Sequence, residues 1–195
     1  MVTGYLDPDS DNSPTAWTPS VGATHFGVID GGARDPDAPT TDNIFVGDGD
    51  ENAQGTVNME IAGISNIDEC SSIEIHVYGN NTSGEIPYVR IYTTAGWEAN
   101  QSLDMASGYA WFSRTFTANQ PYSQADIESL VVRFTADSAY GKYDGTWIRE
   151  CYAEITYSEV AGGWGHKMMG VVGASIGKIS GVAIASIGEV KGVAI

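Results

Sequence analysis

The chain contains 195 residues, of which 25 are acidic and 9 are basic, so its formal net charge is −16. So acidic a surface excludes proteins that hold nucleic acid through its phosphates, because such proteins need clustered Lys and Arg. The length allows one domain with a real core plus an appendage. Val, Ile, Thr, Tyr and Trp are plentiful, whereas long runs of Leu, Ala, Glu and Lys are absent, and this composition favours β-structure.

The first 51 residues are rich in Asp, Pro, Gly, Ser and Thr, a composition that predicts loops. Ca²⁺ takes several oxygen ligands from such loops. Candidate calcium ligands therefore lie in three acidic stretches: Asp7, Asp9 and Asp11, then Asp30, Asp35, Asp37 and Asp42, then Asp48 and Asp50. None of the stretches matches the twelve-residue EF-hand loop, so solvated acidic turns are the alternative, and no other cofactor is expected.

A first strand is predicted at 43–46, and strands recur at regular spacing from residue 55 onward. Residues 72–78 alternate cleanly, with Ile73, Ile75 and Val77 on one face. A short helix is predicted at 123–130, with Ser123 as its N-cap. The other predicted strands are 56–61, 88–94, 110–117, 129–136 and 147–157. About eight short strands separated by turns predict an all-β fold, an antiparallel β-sandwich of the jelly-roll type found in lectins and carbohydrate-binding modules.

The residues that could carry chemistry do not form a catalytic pattern. The three histidines lie in unrelated sequence contexts, and no phosphate-binding loop is present. We therefore expect a protein that is not an enzyme. Cys70 and Cys151 lack metal-type spacing, and either a disulfide between them or two buried thiols fits the sequence.

Exposed aromatic rings would be needed for a sugar-binding site. Trp97, beside Gly96 in a predicted turn, and Tyr140 and Tyr143 in a Gly-rich loop are the candidates. Trp111 and Trp147 lie inside predicted strands, where packing in the core is the more frequent role of tryptophan.

The last 33 residues contain an 11-residue repeat: ASIGKISGVAI at 174–184 and ASIGEVKGVAI at 185–195, after a degenerate copy at 163–173. Residues 1–162 carry 24 acidic and 6 basic side chains, net −18, whereas 163–195 carry net +2. The repeat is apolar and too short to fold alone, so we expect an assembly arm buried against a partner. An extended arm is favoured over a helix, because interior glycines and β-branched residues weaken helices, and order gained only on assembly is the third alternative. The candidate assembly residues are Ile176, Ile179, Gly181, Val182, Ile184, Ile187, Val190, Gly192 and Val193.

The chain resembles virion structural proteins of tailed bacteriophages and prophages. The resemblance is diffuse in the body and more specific in the Ile-Gly-Lys-x-x-Gly-Val-Ala repeats. The residues that carry it in the body are Trp17-Thr18-Pro19-Ser20, Asp30, Thr41-Asp42, the segment 73–78, Trp111, Phe116-Thr117, Asn119-Gln120-Pro121 and the segment 151–157. Such proteins are described as structural, so the resemblance implies a place in a particle rather than a mechanism.

The sequence therefore predicts a non-enzymatic structural subunit of a phage particle, with a jelly-roll body at 1–162 and an assembly arm at 163–195. Capsid decoration and a tail or fibre role both fit, and the expected partners are further copies of itself and other virion proteins. The alternatives are a glycan-binding module of a host-recognition fibre and a subunit of an extracellular filament. The start Met1-Val-Thr-Gly-Tyr lacks the features of a secretory signal, so we expect synthesis in the host cytoplasm and a final location in the virion.

Overall fold

A computed structural model describes residues 1–13, 17–20, 22, 24–29, 44–47, 53–60, 64–82, 86–136 and 145–160, together with the pairs 178–179 and 182–183. Its secondary structure consists mainly of antiparallel strands. The strands are β1 (Val2–Asn12), β2 (Thr18–Pro19), β3 (Ile44–Gly47), β4 (Ala53–Glu60), β5 (Ile67–Asn81), β6 (Tyr88–Thr93), β7 (Gly96–Trp97), β8 (Gln101–Ser102), β9 (Ala110–Phe116), β10 (Val131–Ala136), β11 (Gly145–Glu159), β12 (Lys178–Ile179) and β13 (Val182–Ala183). The helices are α1 (Phe26–Ile29) and α2 (Gln124–Glu128).

The strands form an antiparallel β-sandwich of the jelly-roll type. The first sheet is built on the long pair of β5 and β11. Strand β9 pairs with the other edge of β5, while β3 and the first half of β1 pair in turn with the other edge of β11. The second sheet runs from the second half of β1 through β4, β10 and β6 to the short strands β7 and β8. The predicted fold class is confirmed.

Strand β1 belongs to both sheets. Its first half pairs with β11 and its second half with β4, and the register shifts between Pro8 and Ser10. Such bulges let a strand pass from one sheet of a sandwich to the other. The loop predicted around Asp7, Asp9 and Asp11 is therefore wrong, because these residues lie within a strand whose inward positions are occupied by Gly4, Leu6 and Pro8.

The core lies between the two sheets and follows the alternation of the strands. Ile73, Ile75 and Val77 are fully buried, as their sequence pattern predicts. Trp17 is also buried, and its Nε1 donates to the carbonyl oxygen of Ala53 at 3.0 Å. The expectation of core packing for Trp111 and Trp147 is wrong: both are half-buried on strands whose inward positions belong to smaller side chains.

The predicted helix is confirmed as α2, with the predicted cap. The Ser123 hydroxyl accepts from the backbone N–H of Asp126, and the Asp126 carboxylate accepts from the Ser123 N–H at 2.8 Å, which forms a capping box. Among the described residues, no helix is long and apolar enough to cross a membrane.

Cys70 and Cys151 are both buried free thiols, so of the two alternatives the disulfide is not formed. Burial raises the pKa of each thiol, because a thiolate is poorly solvated in the core.

In the arm, the structure describes only the antiparallel pair of β12 and β13, in which Ile179 lies opposite Val182. A helix over these four residues is excluded, in keeping with the preference for extended structure. The remaining assembly candidates, Ile176, Gly181, Ile184, Ile187, Val190, Gly192 and Val193, lie outside the described residues, and the division into body and arm stays a prediction.

Candidate ligand-binding face

The outward side of the second sheet brings aromatic and cationic side chains together. Along β6 the outward positions are Tyr88, Arg90 and Tyr92, because Val89 and Ile91 point into the core. The register places Arg133 of β10 opposite Arg90, and Trp97 of β7 opposite Tyr92. We call this surface, with Ser10, Asn12 and Asn58 at its far side, the Trp97 face.

The three rings of the Trp97 face are among the most exposed large apolar side chains of the described body. Tyr88 is 42% exposed, and Tyr92 and Trp97 are each 37% exposed. The ring centroids of Tyr92 and Trp97 are 5.2 Å apart. Their planes are inclined by 58°, so each partly exposed ring offers its own surface on which a flat apolar ligand face can stack.

Two guanidinium groups lie against the same indole. The Cζ atoms of Arg90 and Arg133 are 4.4 and 4.0 Å from the Trp97 ring centroid, within the range of a cation–π contact. Arg133 Nε also donates to Thr56 Oγ1 at 3.1 Å. Burial lowers the pKa of Arg133, and the neighbouring charge of Arg90 lowers it further, although a guanidinium stays protonated at neutral pH.

The far side of the Trp97 face is uncharged and polar. Asn12 Nδ2 donates to Asn58 Oδ1 at 2.7 Å, and Asn58 Nδ2 donates to Ser10 Oγ at 2.8 Å. Each amide retains further hydrogen-bonding capacity, because a carboxamide has two donor hydrogens and two acceptor lone pairs. The face therefore combines stacking surfaces with directional donors and acceptors.

Trp97 is fixed by anchors on both sides of its turn. Gly96 has a φ of +107°, which only glycine adopts without strain. Before it, the N–H of Thr94 donates to Asp126 Oδ1 at 3.1 Å. After it, the carboxylate of Glu98 accepts from Tyr122 Oη and from the N–H groups of Ala118 and Asn119.

These anchors change the acidity of the groups that form them. Burial alone would raise the pKa of Asp126, but hydrogen bonds from Thr94 and Ser123 hold it below its usual range. Burial and the hydrogen bond to Glu98 raise the pKa of Tyr122. The loop that carries Trp97 is thus tied to α2 and to the segment before it by charge-assisted hydrogen bonds.

The outward side of the first sheet carries a second aromatic cluster, which we call the His76 face. His76 stacks on Tyr152 with centroids 4.5 Å apart, and Trp111 packs against the same tyrosine at 5.6 Å. Glu74 and Glu154 lie 3.9 and 3.7 Å from His76 Nε2. The cluster also includes Tyr5, Tyr78 and Tyr109.

The calcium prediction finds no support at the one acidic stretch that the structure describes. Asp11 accepts from the backbone N–H groups of His25 and Phe26, at 2.8 and 2.9 Å, and so holds the start of α1. Burial opposes ionisation of Asp11, but its hydrogen bonds with His25 and Phe26 hold its pKa below the usual range. Within the described ranges, no three His, Cys, Asp or Glu side chains are grouped to hold a metal ion. The other candidates, Asp30, Asp35, Asp37, Asp42, Asp48 and Asp50, lie outside those ranges.

Of the three candidate glycan residues, Trp97 is exposed as predicted, while Tyr140 and Tyr143 lie outside the described residues. Sequence reasoning did not single out Tyr88, Arg90, Tyr92 or Arg133. The alternation of residues 88–92 contains the signal, because its outward positions are aromatic, cationic and aromatic. The contact of Arg133 with Trp97 depends on strand pairing and has no local signal.

No family model and no curated protein matches the sequence. Among solved structures, the enzymatically active domain of tailspike protein 4 of bacteriophage CBA120 is similar over 79% of this chain and 19% of its own length, with 10% identity and a TM-score of 0.41. A cyclase from Fischerella sp. TAU is similar over 81% of this chain and 76% of its own, with 12% identity and a TM-score of 0.43. The N-terminal cellulose-binding domain of Cellulomonas fimi β-1,4-glucanase C is similar over 77% of this chain and 92% of its own, with 17% identity and a TM-score of 0.38.

Proposed function

We propose that this protein is a non-enzymatic, glycan-binding subunit of a phage particle. Residues 1–162 form the binding body, and residues 163–195 join the body to neighbouring subunits. The observation that carries the glycan-binding part is the Trp97 face, where exposed rings, two guanidiniums and uncharged polar groups share one side of a sheet.

The chemistry of this face suits a saccharide. A pyranose ring offers C–H groups on its faces and hydroxyl groups at its rim. Trp97 and Tyr92 provide the surface for stacking, and the amides and guanidiniums provide directional hydrogen bonds around it. The anchoring of Trp97 through Thr94 and Glu98 holds the indole in place before ligand binds, which lowers the entropic cost of binding.

The histidines of the body support a non-enzymatic role. His25 Nδ1 lies 3.0 Å from Asp11, and its ring also contacts the carbonyl oxygen of Trp17, so His25 is engaged in holding the turn near α1. His76 is stacked on Tyr152, on the other sheet from the Trp97 face. Both described histidines are therefore engaged in contacts other than the ring pair of Trp97 and Tyr92.

The test is a glycan array probed with the full chain, followed by calorimetry on the strongest glycan. Trp97→Ala should weaken binding by about 30-fold or more, the loss typical of a central aromatic anchor. The matched control is Trp111→Ala, which removes a ring of the same size from the His76 face. Equal losses of glycan affinity in the two variants, or no glycan bound by the native chain, would refute the proposal.

Assembly through the arm is the second part, and the charge distribution and the repeat favour it. The body carries net −18 and the arm net +2, so an arm is attracted to a neighbouring body, although salt screens this term. Residues 174–195 offer eight Ile or Val side chains. Their burial is worth roughly 1.5–3 kcal/mol each, while ordering a residue costs about 1–2 kcal/mol, so the arm needs a partner surface.

Light scattering tests the arm separately from the glycan site. The double variant Val182→Asp and Ile184→Asp should remove assembly and leave the melting temperature of the body unchanged. A chain ending at Gly162 should likewise melt in one cooperative transition, as single domains do. Normal assembly by the double variant would refute the arm model without touching the glycan proposal, and a non-cooperative melt would place the arm in the core.

A further inference from the structure

Two of the six basic side chains in residues 1–162 meet at one ring of the Trp97 face. Arg90 and Arg133 are direct neighbours across the pairing of β6 with β10. Both guanidiniums contact the indole of Trp97, at 4.4 and 4.0 Å. Residues 1–162 carry a net charge of −18, so two adjacent cationic side chains give this site a charge opposite to that of the body as a whole.

The two charges are not neutralised within the described part of the chain. Arg114 pairs with Asp104, whereas neither Arg90 nor Arg133 has a described ion pair. The Nε of Arg90 is buried and has no hydrogen-bond acceptor among the described residues. Neighbouring like charges that have lost water repel each other, and an anion bound between them removes that cost.

We propose that the glycan bound by the Trp97 face carries a carboxylate or a sulfate, that Arg90 and Arg133 hold this anion, and that Trp97 stacks on the adjoining sugar ring. The inference rests on the proposed glycan-binding function and names the ligand class of that same site. A guanidinium suits such an anion because its planar array of N–H groups can donate two parallel hydrogen bonds to two oxygens.

The charge of the rest of the body narrows the ligand class further. A densely sulfated or polyuronic chain would bring many negative charges close to a body of net charge −18. Repulsion from charges beyond the immediate site acts over about 8–10 Å at physiological salt. The favoured ligand is therefore a saccharide in which a single acidic residue is flanked by neutral sugars, the latter facing Ser10, Asn12 and Asn58.

The first experiment compares each acidic glycan that binds the full chain with its own neutral derivative. Uronic and other sugar acids are reduced at the carboxyl group, and sulfated sugars are desulfated, so the two sources of the anion are distinguished. Removal of the anion should weaken binding by about tenfold or more, the usual size of hydrogen bonds to a charged group. Equal affinity for the acid and its neutral derivative overturns the anion site while leaving glycan binding intact.

The second experiment locates the effect. Arg90→Gln and Arg133→Gln should each abolish the preference for the acidic glycan, so that the acid and its neutral derivative bind the variant with affinities within about twofold of each other. Arg114→Gln, which removes a cation from a different strand, is the matched control. Because Arg133 also donates to Thr56, its loss removes a hydrogen bond between β10 and β4, so Arg90→Gln, which breaks no described hydrogen bond, is the decisive variant. A retained preference in Arg90→Gln overturns the inference, as does tightest binding of a densely sulfated glycan; failure of every glycan to bind overturns the proposed function as well.

Discussion

The two outer faces of the sandwich are both rich in aromatic rings, but they differ in charge and in how the rings are packed. On the His76 face, His76 and Tyr152 stack with centroids only 4.5 Å apart, two carboxylates flank His76, and the guanidinium of Arg149 lies 3.6 Å from the Tyr109 ring centroid. Its rings are less exposed than those of the Trp97 face except for Tyr5, which is 41% exposed. On the Trp97 face the rings are 37–42% exposed, and the flanking charges are the guanidiniums of Arg90 and Arg133. The comparison teaches that the number of aromatic residues does not define a binding surface. The ligand is selected by the exposure of the rings and by the charge that surrounds them.

The largest expected difference between the two sheets is in the effect of replacing one glycine in each with alanine. An added Cβ at Gly79 of β5 would lie 2.7 Å from the carbonyl oxygen of Trp147, whereas one at Gly96 meets no atom within 4 Å. Gly79→Ala must separate β5 from β11, and we expect a loss of about 1–3 kcal/mol in the free energy of unfolding. Denaturant titration measures this loss, and glycan affinity should not change.

Gly96→Ala is the counterpart on the Trp97 face. Its cost should be about 1 kcal/mol, from the positive φ alone. Because Gly96 precedes Trp97, this variant should lose affinity for the glycan even though it is the more stable of the two. If glycan affinity is lost in Gly79→Ala only, the glycan does not bind at the Trp97 face and our account is wrong.

Acid should act on the support of the Trp97 face through Asp126. The pKa of this carboxyl is held below its ordinary value of 3.8 in the folded protein. Its contribution to stability is therefore fully present above about pH 4 and is lost as the pH falls through the lowered folded pKa. Asp126→Asn, which replaces the N3 carboxylate of the capping box with a neutral amide, should cost about 0.5–1.5 kcal/mol at pH 7, the usual net contribution of one hydrogen bond, and should flatten the acid limb of the stability curve.

The exposed Glu128 of the same helix supplies the control for Asp126. Its contact is a solvent-exposed hydrogen bond with Gln124, so Glu128→Gln should change the unfolding free energy by no more than about 0.5 kcal/mol. An acid limb in Asp126→Asn as steep as that of the native chain would show that the capping carboxylate does not control the turn.

The smallest effect is expected from single rings on the two faces. Tyr152→Leu removes the stack with His76 and should cost about 0.5–1.5 kcal/mol of stability beyond the lost area, with no change in glycan affinity. Tyr92→Leu should do the opposite, because the more exposed ring contributes little to folding and borders Trp97. Thermal melts and calorimetry on the two variants give the comparison directly.

The sequence predicted the part of the fold that burial controls. Residues 72–78 alternate between apolar and polar side chains because one side of β5 is in the core. Ser123 predicts the start of α2 because serine is a favoured N-cap residue. Strand β1 escaped prediction because its outward positions carry Asp and Ser, residues typical of turns, while its inward positions include Gly4 and Pro8. A strand that crosses between sheets has no continuous apolar face to reveal it.

The candidate site was predictable only where a single residue carried the signal. Trp97 was identified because it follows Gly96 in a predicted turn, and it is 37% exposed in the structure. The meeting of Arg90 with Arg133 is set by the register of β6 against β10, and register depends on the whole sheet. The location of Trp111 was misjudged because β9 is half-buried along most of its length, so membership of a strand did not imply the core.

The most direct test of the central claim is chemical-shift mapping of the isotope-labelled protein during titration with the strongest acidic glycan. We predict that the backbone amides of Tyr88–Thr93, of Trp97 and of Val131–Ala136 shift with saturable dependence on glycan concentration, as does the indole N–H of Trp97. The chemical shifts of the backbone amides around His76, Trp111 and Tyr152 should not change. Saturable shifts centred on the His76 face, with Trp97 unmoved, would contradict the account.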